Sequence, residues 1–256
     1  MEIVFVGAGR VATHLAKALN AGGHHITAVY SRTMASAEVL ASVVDAVPTN
    51  RIDALPQKAD VFILSVKDSV LKDVIFELRK GREQQVFLHT AGSIPMSVFG
   101  EHQHRGVFYP MQTFSMEKKV DFSRVHIFIE GGDAETLNLA RKLGETLSSH
   151  IHELSSEERR YLHLAAVFAC NFANHCFSLS AEILEAHGLP FEVMLPLIKE
   201  TADKVETVHP REAQTGPAAR RDENVMNAQK ALLADAPLMQ QIYDLMSKSI
   251  QRIDHD

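Results

Sequence analysis

At 256 residues, with 46% hydrophobic and 23% charged side chains, the chain can bury a sizeable core and has room for two domains. No tract is biased enough to read as disordered. The 26 basic against 32 acidic residues leave a net charge of -6, which argues against a nucleic-acid surface, since that needs clustered Lys and Arg.

The first strand signal, Ile3-Val4-Phe5-Val6, starts so close to Met1 that no secretion signal is expected. Further strands are predicted near Ile26 to Tyr30, Val61 to Val66, Val86 to His89, Val107 to Tyr109, Val125 to Ile129 and Ile151 to Leu154. Helices fall between them, at Val11 to Asn20, Ser36 to Val44, Val70 to Lys80 and Glu135 to Ser148, with Gly22-Gly23 and Gly81 as stops. This alternation predicts an α/β fold, a Rossmann-type, doubly wound and mostly parallel sheet. From Ser155-Ser156-Glu157-Glu158, a helix N-terminus, the remainder reads as all-α: Glu157 to His187 closed by Gly188, Phe191 to Val208, and Asp222 to Ile253 broken near Pro237. The expected domains are 1–154, binding a dinucleotide, and 155–256, for substrate and dimerisation.

Gly7-Ala8-Gly9-Arg10-Val11-Ala12 follows a strand and opens a helix, the context in which G-x-G-x-x-A binds a dinucleotide. Gly7 permits the tight turn, Gly9 clears the path of the pyrophosphate, and Ala12 allows close helix packing. Amides at the helix N-terminus then hold the diphosphate. NAD-selective versions carry a carboxylate at the end of the second strand, whereas this chain has Tyr30-Ser31-Arg32-Thr33. A guanidinium there favours the 2'-phosphate of NADP, with a solvated strand-end charge as the other reading of Arg32. Ser65-Val66 and His89-Thr90-Ala91-Gly92-Ser93 end later strands and are expected to border the nicotinamide. His89 reads either as a hydrogen-bond donor to cofactor or substrate or as a buried structural histidine.

The segment Leu162 to Leu179 is the most apolar, but His163, Asn171, Asn174 and His175 interrupt it, so it does not read as a membrane span. Being apolar on nearly every side, this helix is expected to be surrounded by protein. At 100° per residue His163, Asn171 and Asn174 share one polar stripe, which is either an internal hydrogen-bond seam or a substrate-facing one. Cys170 and Cys176 point to different faces and are expected as packed, reduced thiols in a cytoplasmic protein. Thr215 to Asp222 places Arg220, Arg221 and Asp222 beside a Gly-Pro turn: donors for an anionic substrate group, or a helix start capped by Asp222.

The glycine motif, His89 to Ser93, Pro110-Met111-Gln112-Thr113-Phe114, His163-Leu164-Ala165-Ala166 with Asn171, and Thr215 to Asp222 resemble one known family over nearly the whole chain. It is that of bacterial Rossmann-like proteins with a C-terminal helical domain of unknown function, relatives of pyrroline-5-carboxylate reductase and the 6-phosphogluconate dehydrogenase superfamily. Two positions depart from it: Tyr109 stands where the family usually has His, and Arg221 where it usually has Gly. The resemblance implies an NADP-dependent oxidoreductase passing hydride to or from a small polar C=O or C=N group at the domain interface. In that reading His163 is the acid or base, with Asn171 and His89 as further catalytic candidates, and Gln112, Asn174, Arg220 and Asp222 border the substrate. A homodimer built on the helical half is expected, and no metal. A dinucleotide-binding sensor without turnover is the alternative.

Overall fold

The computed structural model describes residues 1–116 and 118–252 and divides the chain into two compact units, Met1–Cys170 and Asn171–Asp256. The first is an eight-stranded sheet in the order β3-β2-β1-β4-β5-β6-β7-β8. Its strands are β1 Glu2–Val6, β2 His25–Tyr30, β3 Val47–Thr49, β4 Val61–Leu64, β5 Phe87–His89, β6 Arg105–Met111, β7 His126–Gly131 and β8 Ile151–Glu153. All neighbours run parallel except β6 and β7. The order reverses between β1 and β4, and ligands of open α/β sheets bind in the crevice beyond such a switch point.

Both faces of the sheet are buried, which is why β1 and β4 are apolar at every inner position. Ile3, Phe5, Val61 and Ile63 pack with α1 Arg10–Ala21, α2 Met34–Val44 and α4 Ala134–Glu145, through Leu15, Leu19, Leu40 and Leu143. Val4, Val6, Phe62 and Leu64 face the other way, onto Leu71 and Ile75 of α3 Asp68–Leu78 and onto Phe99. The strand registers end in one row: Thr49, Tyr30, Val6, Leu64, His89 and Val107 are successive partners. Ser31, Gly7, Ser65 and Thr90 therefore follow at one height, on the edge beyond which open α/β sheets bind ligands.

The predicted strands and helices of this unit are present with ends displaced by a few residues. Two features were not anticipated. β3 is a three-residue edge strand around Pro48, which has no N–H to pair, so it carries no pattern to read. β6 runs through Pro110 to Met111 and brings Tyr109 two residues beyond Val107, past the end of β5.

The helix Ser156–Ala186 contains α5 Ser156–Ala166, a π-helical turn Val167–Phe172 and α6 Ala173–Ala186. A Ser155/Glu158 capping box starts it, and Gly188, at φ 68°, follows its end, as predicted. One expectation about it needs correction. The π turn does not keep 100° per residue, so the stripe of His163, Asn171 and Asn174 does not follow from α-helical spacing. The helix is not enclosed within the chain, for Tyr161, Leu164 and Phe177 are exposed, as are both cysteines. By length and composition it is also apolar enough to cross a membrane. Its first turn nevertheless belongs to the sheet unit, because Arg159 is buried there in an ion pair with Glu130 of β7. Such a charge is costly in hydrocarbon.

The second unit continues with α7 Leu195–Lys204, α8 Pro210–Ala213, α9 Glu223–Ala231 and α10 Pro237–Arg252; the expected end at Ile253 lies outside the described residues. α9 and α10 are joined by a Lys230–Asp244 ion pair and by Tyr243 donating to Gln229. Among the described residues of this unit, only the apolar side chains of Leu184 and Ala218 are buried, while Leu195, Leu197, Leu232, Leu238, Leu245 and Met246 are exposed.

Candidate functional site

The turn after β1 is shaped by two glycines with different constraints. Gly7 has φ 122°, donates its N–H to the Tyr30 carbonyl, and would place a Cβ 2.2 Å from the Ser65 carbonyl oxygen. No side chain fits. Gly9 has φ -79°, and a Cβ on it would meet nothing within 4 Å. Gly9 precedes α1 without a side-chain cap, and the first turn of α1 has no acidic residue. Its amides and partial positive charge are left to an anion, and the open space at Gly9 lies where one would approach. This cradle fits a dinucleotide pyrophosphate. Ala8, Arg10 and Val11 complete the turn, Arg10 exposed and the others half-buried.

Beyond β2, the Ser31 N–H is held by the Thr49 carbonyl, and Arg32 is exposed. Thr33 donates from its hydroxyl to Ser36 and does not cap α2, whose first turn also lacks an acidic residue. Thr90 donates to the Ser65 hydroxyl across the ends of β5 and β4, and Val66 lies beside Gly7. The cofactor-binding residues read from the sequence thus share one edge of the sheet.

His89 behaves differently from its neighbours. It is fully buried, lies parallel to Phe99, and its Nδ1 accepts from the Ala91 N–H. Burial, helped by the Arg159 charge, pushes its pKa down to about 3. The ring is neutral near pH 7, and its bond to the Ala91 N–H shapes the 89–93 loop.

His163 stands on α5 with its Nδ1 3.0 Å from the Tyr109 hydroxyl oxygen, the two rings edge to face. A Cβ on Gly92 would fall 2.5 Å from His163 Nδ1 and 2.9 Å from Tyr109 Cζ, so the pair requires glycine there. One turn before His163, Arg159 is 1% exposed, with its guanidinium bonded to Glu130, the Ile94 carbonyl and the Ser156 hydroxyl. Ser156 in turn accepts from the Met96 N–H and donates to Glu130. His163 also lines a cavity of about 640 Å³ with Ser93, Pro95, Arg160, Leu164 and Val167. Desolvation raises the pKa of Tyr109 above the ordinary phenol range, so it is protonated near neutrality.

Gln112 is exposed beyond β6 and accepts from Thr113. Asn171, Asn174, Arg220 and Asp222 belong to the second unit. There the two asparagines and Arg220 are exposed, while Asp222 caps α9 by accepting from the Val225 N–H. Arg221, where the family usually has Gly, has φ 55°, a conformation glycine adopts without strain. Among the described residues no group of three His, Cys, Asp or Glu side chains could hold a metal. Sequence reasoning missed Arg159 and Glu130, and named Gly92 only as part of the 89–93 loop. The one available signal was that Arg159 lies four residues before His163, on the same helix face.

Fold and cradle together define a Rossmann-type protein with a helical second part. A Rossmann-like domain model matches residues 1–111, and the domain of unknown function DUF2520 matches residues 125–250. A crystal structure from Bacteroides fragilis, named as a candidate NADP oxidoreductase, is 48% identical over 98% of both chains, with a TM-score of 0.94. A Thermotoga maritima protein is 25% identical over 98% of this chain and 97% of its own, at 0.74. An imine reductase from Myxococcus stipitatus in complex with NADP+ shares the fold at 18% identity, 98% and 93% coverage, and a TM-score of 0.71. No curated protein matches the chain. The chain belongs to the family that joins a Rossmann-like domain to DUF2520.

The two glycines are expected to fail differently. Gly7→Ala lowers thermal stability sharply because the Ser65 carbonyl must move, whereas Gly9→Val melts near the wild type and loses NADPH binding in calorimetry. Normal NADPH binding by Gly9→Val places the pyrophosphate elsewhere.

Acid should reveal His89. The unfolded chain protonates this ring near 6.5, the folded one only near 3. The unfolded state therefore binds the extra proton between those values, and stability falls as pH drops from about 6.5 toward 3. In His89→Asn, whose amide oxygen can still accept from Ala91, urea unfolding across that range should show a shallower decline; an unchanged slope counts against the assignment.

Proposed function

We propose that the chain is an NADP-dependent oxidoreductase acting on a small polar C=O or C=N substrate, with its chemistry beyond the carboxyl ends of β4, β5 and β6. The observation that carries this reading is the placement, in one unit, of the Gly7–Gly9 cradle, the Ser65/Thr90 edge and the Tyr109–His163 pair. The cofactor, when bound, supplies or accepts hydride; the protein positions it and moves a proton. His163 is the group we assign to that proton, since imidazole serves as a general acid or base and this one lines a cavity beside the pair. The cavity it lines is the substrate space we favour.

NADP over NAD rests on Arg32, on the capless, uncharged start of α2, and on the NADP named for the Bacteroides fragilis relative. A phosphate would receive a charge-assisted bond from the guanidinium and helix amides. The test is NADPH oxidation against a panel of carbonyl compounds and imines, with dissociation constants for NADPH and NADH. Arg32→Ala should weaken NADPH by about tenfold or more, as expected from losing a charge-assisted bond, and leave NADH unchanged. Binding without turnover across the panel favours the sensor, and equal constants for the two cofactors remove the NADP preference.

We further propose a homodimer formed by the helical half. The exposed apolar residues of Ser156–Ala186 and α10, beside so few buried ones in the second unit, call for a cover larger than this chain provides. Obligate interfaces of this sort bury about 2,000 Å² or more. We place the protein in the cytoplasm, where Cys170 and Cys176 stay reduced. Light scattering at micromolar concentration should give twice the 28.4 kDa chain mass, and a monomer rejects the dimer.

A further inference from the structure

We infer that Tyr109 is a positioning residue for His163: its hydroxyl holds the imidazole by Nδ1 and leaves Nε2 as the nitrogen that meets a ligand. The inference rests on the proposed oxidoreductase reading for its role in turnover, but not for the hydrogen bond itself. The bond spans 3.0 Å, and Gly92 supplies the space in which the two rings meet.

A phenol suits this task for a specific reason. Its oxygen both donates and accepts, so it can accept from Nδ1–H of the charged ring and of the neutral ring left when Nε2 gives up its proton, and donate to Nδ1 of the other neutral tautomer. The ring therefore keeps one orientation through a cycle of protonation. In the reducing direction the charged imidazole gives its Nε2 proton to the carbonyl oxygen or imine nitrogen while hydride reaches the carbon. The N–H electron pair stays on the ring, which ends neutral with Nδ1–H still bonded to the Tyr109 oxygen. Recharging needs one proton at Nε2 from solvent. The charged and titratable groups acting on Tyr109 are Arg159 of α5 and Cys170 of the π turn. Arg159 is tied to Glu130, and its charge acts on the Tyr109 phenol against the effect of burial.

Orientation of this kind is separable from chemistry. Removing Tyr109 leaves His163 able to carry a proton but free to turn, so its loss should cost part of what His163 contributes. Proton transfer by a placed group is worth about 10²- to 10⁴-fold in rate, and we expect Tyr109→Phe to lower kcat by about 10- to 100-fold with NADPH affinity unchanged.

The decisive experiment is long-range ¹H–¹⁵N NMR of the full chain labelled with ¹⁵N-histidine and saturated with NADPH, the His163 signals being assigned by their absence in His163→Gln. In the wild type, Nδ1 of His163 should show a hydrogen-bonded shift throughout its titration. In Tyr109→Phe that shift should be lost and the midpoint should move. Gly92→Ala, which keeps both partners but pushes them apart, should reproduce the Tyr109→Phe spectrum. Coinciding His163 shifts and midpoints in wild type and Tyr109→Phe would overturn the inference whether or not a substrate is known. If the panel yields a substrate, an unaltered kcat and pH profile in a stable Tyr109→Phe protein overturns it while leaving the oxidoreductase reading intact. A failed panel removes that reading, and the spectra still decide the pairing.

Discussion

The guanidinium of Arg159, inside the first turn of α5, bonds to a carboxylate on β7, to the Ile94 carbonyl and to the Ser156 hydroxyl, which itself holds the Met96 amide. One buried cation thus ties three segments far apart in sequence. Taking such a charge out of water is costly, and removing its partner would leave it uncompensated. The arrangement therefore selects one seating of the helix over others. His163 follows one turn later on the same face, so that seating also decides where its imidazole stands. The geometry next to Tyr109 and Gly92 depends on this anchor.

The second constraint is the common height of the strand ends. Parallel pairing aligns Tyr30, Val6, Leu64, His89 and Val107, and the backbone turns beyond them differ only in what each must accommodate. Gly7 is small because the Ser65 carbonyl is adjacent and Gly92 because two rings meet over it, whereas a Cβ on Gly9 would meet open space. His89 belongs to the same row but is sealed within it, and burial keeps it neutral.

The second unit has a different balance. Its helices carry apolar residues at i, i+7 and i+8, as Leu238, Leu245 and Met246 show on α10, yet these residues are exposed. A helical stripe of this kind gains stability only when it is covered. The π turn lies in the most apolar part of the chain, where the regular ladder is interrupted and side-chain direction departs from the α-helical count.

The fold class, the glycine turn, the capping box at Ser155 and the helix stop at Gly188 were legible in the sequence, because each depends on local chemistry: alternation of apolar residues, backbone freedom, and a cap within three residues. For the same reason the turns beyond the strand ends could be named residue by residue from Gly7 to Thr90. What lay beyond reach depends on partners distant along the chain. Whether His89 faces ligand or core, whether Asp222 is a cap, and how His163 is held are decided by Phe99, by Val225 and by Tyr109, Gly92 and Arg159. A periodicity argument assumes a uniform helix, and the π turn breaks that assumption between His163 and Asn171. The sequence determined the sheet, its ligand edge and the helical second half, since these follow from local pattern; only the tertiary structure chose which polar side chains meet at that edge, since a hydrogen bond across 54 residues leaves no mark on either neighbourhood.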